Sequence, residues 1–217
     1  RGRSAVPTAG EILAQLTAIA RDGVGFAVVW HVAIATVLVA VALGWRPDRR
    51  TAPLLLATPL ASVAAFAIAY GNPFNGIVFA SASAALVVLA LRVPADRIVP
   101  GPRWATVLGL ALIAFAWGYP HFLEDRAPIV YLVAAPVGLV PCPSLALAIG
   151  GALLAGGVER RAAVILAGLG LLYALVGAAR LGVILDIGLG IGAAGLALLV
   201  ALPRRRRHAH APSAQAS

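Results

Sequence analysis

The stretch PIVYLVAAPVGLVPCPSLALAIGGALLAGG, residues 128–157, runs for thirty residues without an acid or a base. A straight helix of that length would measure about 45 Å, against a bilayer hydrocarbon core of about 30 Å. Pro136, Pro141 and Pro143 forbid it, because each proline removes an amide donor and clashes with the carbonyl one turn back. Cutting at Pro143 leaves 143–157 at about 22 Å, too short to cross alone. The stretch is therefore expected to make one interrupted crossing, with its break at Pro141-Cys142-Pro143-Ser144 near mid-depth. A re-entrant or interfacial piece ahead of a short span is the competing reading.

Outward from this stretch, further apolar segments lie at 24–45, 52–70, 74–91, 104–120, 162–179 and 181–202, and only the last contains an acid, Asp186. The 217 residues are 61% hydrophobic and 12% charged, and their mean hydropathy is +0.96. Soluble domains carry about twice that charge, so a disordered, collagenous or ordinary soluble chain is excluded. The fold class expected is an all-α, polytopic transmembrane helical bundle of about seven spans. Residues 1–23 form an amphipathic helix on the outer surface, 24–202 the bundle and 203–217 a basic cytoplasmic tail. No connection is long enough to hold a folded soluble domain, so function belongs to the bundle or its rims.

Arginine placement orients the bundle, because cytoplasmic loops collect basic residues. With seven spans, loops 46–51, 92–103 and 158–161 and the tail share one side, with 12 Arg against Asp48, Asp96 and Glu159. The other side balances Arg1, Arg3, Arg21, Arg126 and Arg180 against Glu11, Asp22, Glu124, Asp125 and Asp186. The N-terminus is thus expected outside and the C-terminus inside, in a bacterial inner membrane. Trp45 and Trp104 fall at inner ends, while Tyr70, Trp117, Tyr119 and Tyr131 fall at outer ends, as interfacial belts do. Arg204–Arg207 is read as an anchor to anionic lipid rather than a nucleic-acid site.

Thr8-Ala9-Gly10-Glu11 has capping-box spacing, and Ile12, Leu16, Ile19 and Ala20 follow at helical intervals. All 17 basic residues are Arg, so a retinal Schiff base has no amine. One cysteine, Cys142, excludes an internal disulfide and Cys-rich metal motifs. No Met occurs, even at position 1, from which a lost start or a fragment is expected. A bis-histidine haem would need a second intramembrane histidine, but His121 lies at the rim and His208 and His210 in the tail. No cofactor is expected.

Polar groups inside apolar spans are expensive and so are functional candidates. His31 lies about 12 Å inside span 1 and Asp186 about 9 Å inside span 7, both from the outer end. Arg180, six residues before Asp186, is off its face, which leaves His31 or a wet cavity as the expected partner. The outer turns add Asn72 and Asn75, in Tyr70-Gly71-Asn72-Pro73-Phe74-Asn75-Gly76, and His121 and Glu124, three apart. If that second turn is helical, His121 and Glu124 share a face, suiting an acid–base pair or a weak metal site completed by His31 or Asp186. The bland alternative is a solvated turn with Glu124 paired to Arg126. Gly188 and Gly192, with Gly182 and Gly195 nearby, have the spacing of close helix contacts. Pro136, Pro141, Cys142 and Pro143 mark backbone that lines a cavity or is buried in protein.

The segment Gly138-Leu139-Val140-Pro141-Cys142-Pro143-Ser144, following Gly118-Tyr119-Pro120 and the Tyr70–Gly76 turn, resembles an uncharacterised bacterial family of multi-pass membrane proteins. That family carries a Gly-x-Pro-Cys-Pro-Thr-type segment and a short amphipathic lead helix. Here the Gly-to-Pro spacing is longer and Ser144 stands for Thr. The resemblance implies the membrane fold and no activity. Three functions are then open: a small-solute permease or membrane solute-binding protein with an outer polar pocket, a membrane enzyme or redox subunit using the His and acid groups, and a structural subunit of a homo-oligomer or membrane complex.

Overall fold

The computed structural model describes residues 7–98, 101–156 and 158–202. The expectations for Arg204–Arg207 and the two tail histidines lie outside those residues. Among the described residues the regular structure is helical: α1 (Ala9–Asp22), α2 (Val24–Ala42), α3 (Thr51–Ala69), α4 (Pro73–Arg92), α5 (Arg103–Trp117), α6 (Tyr131–Ala134), α7 (Pro141–Ala155), α8 (Arg160–Leu175) and α9 (Asp186–Ala201). A 3-10 turn, Pro128–Val130, leads into α6, and a π-helical turn, Val176–Arg180, extends α8. Among the described residues, four helices are long and apolar enough to cross a membrane: α2, α3, α4 and α8 with its π turn. The shorter apolar helices are α5, α7 and α9.

These seven run back and forth between two ends. At one end α1 meets the turn after α3, the loop after α5 and the end of α8, through Gln15 with Tyr70, Arg21 with Asp125 and Arg180 with Pro7. At the other end an isolated bridge joins Asp48 to Arg97, and the Arg49 N–H donates to the Asp96 carbonyl. The arginines Arg46, Arg49, Arg50, Arg92, Arg97, Arg103, Arg160 and Arg161 belong to this second end.

Local chemistry accounts for the helix limits. Thr8 and Glu11 complete their capping box, Asn72 caps α4 with Pro73 at its first position, and Glu159 caps α8. Pro59 inside α3 has no N–H for the Leu55 carbonyl, and the Thr58 hydroxyl donates to that oxygen instead at 2.8 Å. Small residues then let helices approach. An added Cβ at Gly109 of α5 would lie 2.7 Å from the Gly150 carbonyl of α7, and one at Gly150 would lie 2.8 Å from the Gly109 carbonyl. Of the glycines expected to make close contacts, Gly188, Gly192 and Gly195 lie against Phe115, Leu112 and Leu108 of α5, whereas Gly182, at φ 72, has open space around it.

The segment 128–156 is interrupted, but at 135–140 and not at Pro141-Cys142-Pro143-Ser144. Its first half is the 3-10 turn, four-residue α6 and an irregular run that holds Pro136, and Pro141 and Pro143 open α7 rather than breaking it. Pro141 occupies the start of α7, where a missing N–H costs nothing. Ser144 fixes the approach, its hydroxyl accepting from the Gly138 N–H at 2.8 Å and donating to the Val140 carbonyl at 2.7 Å. Gly138 has φ 77, which glycine alone adopts freely. α7 is the central helix, packed on α3, α5, α8 and α9 with ten residues buried. Above it, α1 closes a second apolar cluster in which Leu16, Ile19 and Ala20 meet Tyr119, Leu123, Tyr131 and Leu139.

Candidate functional site

Asp186 lies at the meeting of four helix ends. It begins α9, so it is at the mouth of that helix and not two turns inside a straight span, because 181–185 form a turn instead. The turn is set by the Val183 N–H on the Gly177 carbonyl at 2.9 Å and the Asp186 N–H on the Val183 carbonyl at 3.0 Å. The side chain is 1% exposed. Its Oδ1 accepts the Tyr119 hydroxyl at 2.8 Å, and its Oδ2 accepts the Cys142 thiol at 3.1 Å. Gly177, in the π turn, leaves room for the carboxylate: an added Cβ would overlap Oδ2 and stand 2.7 Å from Cγ. A π turn in an α-helix is costly and recurs at functional positions.

His31 is not the partner of Asp186. Its ring sits between two carbonyls, Nδ1 at 2.8 Å from Ala27 O and Nε2 at 2.9 Å from Trp117 O, and it is 4% exposed. A neutral imidazole has one N–H and can satisfy only one of two carbonyl acceptors. Trp117 packs edge-on against this ring and donates its indole N–H to the Leu132 carbonyl at 2.9 Å, tying α2, α5 and α6 together.

His121 and Glu124 do come together, His121 Nδ1 bonding Glu124 Oε1, but through an irregular turn rather than a helix. Phe122 holds φ 79 there, and its N–H donates to the same carboxylate at 2.9 Å. Burial alone would raise the Glu124 carboxyl. The backbone N–H bonds and the adjacent His121 outweigh it and hold the group below its ordinary value. Arg126 leans on Asp125 at 3.8 Å, so the expected pairing with Glu124 is absent among the described residues. His121 Nε2 is buried and has no hydrogen-bond partner among the described residues, and its ring centroid is 6.4 Å from that of Tyr119. Glu124, His121 and Tyr119 thus lead from the exposed turn to the buried Asp186.

Asn72 and Asn75 are spoken for elsewhere. Asn72 accepts the Asn75 N–H at 3.0 Å and donates to Gln15 at 2.9 Å, locking α1 on the turn. Asn75 points inward and accepts the Tyr173 hydroxyl at 2.7 Å. Tyr119 and Tyr131, expected in an interfacial belt, are buried, each because its hydroxyl has an interior partner: Asp186 for one, the Leu123 N–H for the other. Sequence reasoning missed Tyr119, Cys142 as an Asp186 ligand, and Gly177. The only available signal was a tyrosine and a cysteine each set beside proline.

No set of three or more His, Cys, Asp and Glu side chains is placed to share a metal among the described residues. His31 is committed to carbonyls, and Asp186 to Tyr119 and Cys142, so neither completes a site with His121 and Glu124. Comparison with family models, with curated proteins and with solved structures finds no match to this chain.

Proposed function

We propose that this chain is a seven-crossing protein of a bacterial inner membrane, N-terminus outside, that binds or passes a small cationic solute at Asp186. Support for the crossings comes from seven apolar helices alternating in direction, and from eight arginines collected at one end. The short helices α5, α7 and α9, about 22–24 Å each, are completed at the α1 end by the irregular segments around the site.

The observation that carries the functional reading is a carboxylate 1% exposed with no cation paired to it among the described residues. A carboxylate in low dielectric is costly unless neutralised by a proton or a bound cation. Tyr119 and Cys142 orient its two oxygens, and α1 with the 118–140 segment keeps water away. His121, bonded to Glu124 through Nδ1 and beside the Tyr119 ring that reaches Asp186, would relay the proton. Exchange of a proton for an organic cation at Asp186 is the step this layout supports.

The test is a thermal-shift screen of the purified protein against small amines and their neutral and anionic analogues, with Asp186→Asn beside the wild type. Stabilisation by amines that disappears in the variant is expected, and liposome uptake then separates a permease from a binding protein. Equal responses to neutral analogues, or an unchanged response in Asp186→Asn, would refute the reading. The open Nε2 of His121 also fits an enzyme using the His121–Glu124 pair as acid and base. Metal content and an optical spectrum, measured beside His121→Ala, address that second reading.

A further inference from the structure

The other half of the molecule carries a different feature. A laterally open groove of about 380 Å³ runs between α2 and the face made by α3, α5 and α7. Its lining is apolar except for Arg46, two threonines and the Trp30 indole. Trp30 closes one end: its ring lies against Gly138, where any Cβ would strike it, and its indole N–H donates to Ser62 at 3.1 Å. Arg46 stands at the other end. Its Nη1 donates to the carbonyls of Val41 at 2.7 Å and Trp45 at 3.0 Å, and no carboxylate pairs with it among the described residues.

The groove exists because α2 stands partly off the bundle. Of its 19 residues only Ala27, His31 and Ile34 are buried. From Trp30 to Val41 the groove wall is about 16 Å long, close to one leaflet of a hydrocarbon core about 30 Å thick. It therefore runs from near mid-bilayer to the arginine-rich end. A flexible hydrocarbon chain can follow a narrow apolar wall of this length, and water gains few partners on it.

We propose that this groove seats one acyl chain of an anionic phospholipid of the surrounding bilayer, with the phosphate on Arg46. The chain gains no hydrophobic free energy on leaving other lipid tails, so selectivity comes from the headgroup. Arg46 offers its remaining N–H groups in the fork geometry that suits phosphate oxygens. One basic contact at the membrane surface predicts a preference of about fivefold for an anionic over a zwitterionic headgroup. This rests on the chain lying in a bilayer and not on the Asp186 site.

Native mass spectrometry of the full chain, delipidated in detergent and offered phosphatidylglycerol or phosphatidylcholine, tests it. The wild type is expected to retain one more phosphatidylglycerol than Arg46→Gln, and to prefer it about fivefold over phosphatidylcholine. Ala33→Trp, which fills the groove from an exposed position on α2, is expected to lower retention of that lipid while the thermal midpoint is unchanged. Should Ala33→Trp fail to fold, Arg46→Gln decides alone, since its side chain is exposed. Equal retention of both lipids, an unchanged adduct count in Arg46→Gln, or a lipid-free dimer in which a second copy covers the groove would each overturn the proposal.

Discussion

Gly177→Ala adds one methyl group against the Asp186 carboxylate, and the structure sets its consequence. The new Cβ would overlap Oδ2 and sit 2.7 Å from Cγ and 3.0 Å from Cβ of Asp186. Asp186 cannot yield toward solvent because it is buried under the α1 cluster, so it must leave Tyr119 or Cys142. Overpacking costs about 1–3 kcal/mol, and each lost hydrogen bond about 1 kcal/mol. Alanine returns about 1 kcal/mol through its better helix propensity. The net is about 2 kcal/mol of destabilisation, or a fall of about 4–8 °C in Tm for a chain of this size. Thermal unfolding in detergent, followed by intrinsic fluorescence, measures it. The double variant Gly177→Ala/Asp186→Ala removes the clash, so its cost should fall well short of the two single costs combined. A neutral Gly177→Ala, or strict additivity, would mean that Asp186 does not occupy the space beside Gly177.

Other consequences follow from the same contacts. Asn75→Ala strands the buried Tyr173 hydroxyl and should cost about 1–3 kcal/mol, whereas adding Tyr173→Phe should recover much of that loss in the same melting assay. Gly109→Ala, facing the Gly150 carbonyl at 2.7 Å, should destabilise, while Gly25→Ala, with open space around it, should be neutral or mildly stabilising. Bonds from the Thr8 backbone and hydroxyl hold the Glu11 carboxyl below its ordinary value. A lowered folded pKa means that this support for α1 is whole above the ordinary glutamate range and is lost as pH falls through the lowered value. Protection of residues 9–22 against hydrogen exchange, taken relative to the intrinsic rate at each pH, should therefore fall in acid, and a flat protection profile would contradict it.

Much of the architecture was legible in the apolar runs, because a hydrocarbon solvent leaves the backbone few options. The capping box at Thr8 and the small-residue contacts of α9 were equally local and equally readable. What escaped was pairing across the fold. Asp186 and Cys142 are 44 residues apart, and Tyr119 and Asp186 are 67 apart. Nothing periodic in a sequence records such a meeting. The prolines at 136–143 were correctly marked as incompatible with a straight helix, but proline is also tolerated at a first helical turn, and that is where the fold used Pro141. His31 and Asp186 were grouped because they share a depth. Side-chain direction, set by Ala27 and Trp117 around one and by Gly177 around the other, kept them on separate partners.

The first helix bears on how the protein is made. Its contacts reach forward to Tyr70, to Asp125 and finally to Arg180, whose guanidinium bonds the Pro7 carbonyl across 173 positions. During synthesis α1 emerges before any of these partners exists and must wait with Leu16 and Ile19 uncovered. Only after α8 has been made can the last of those ties form. A helix made before all of these partners is thus among the last to settle, and Asp186, made after α8, can be covered only then.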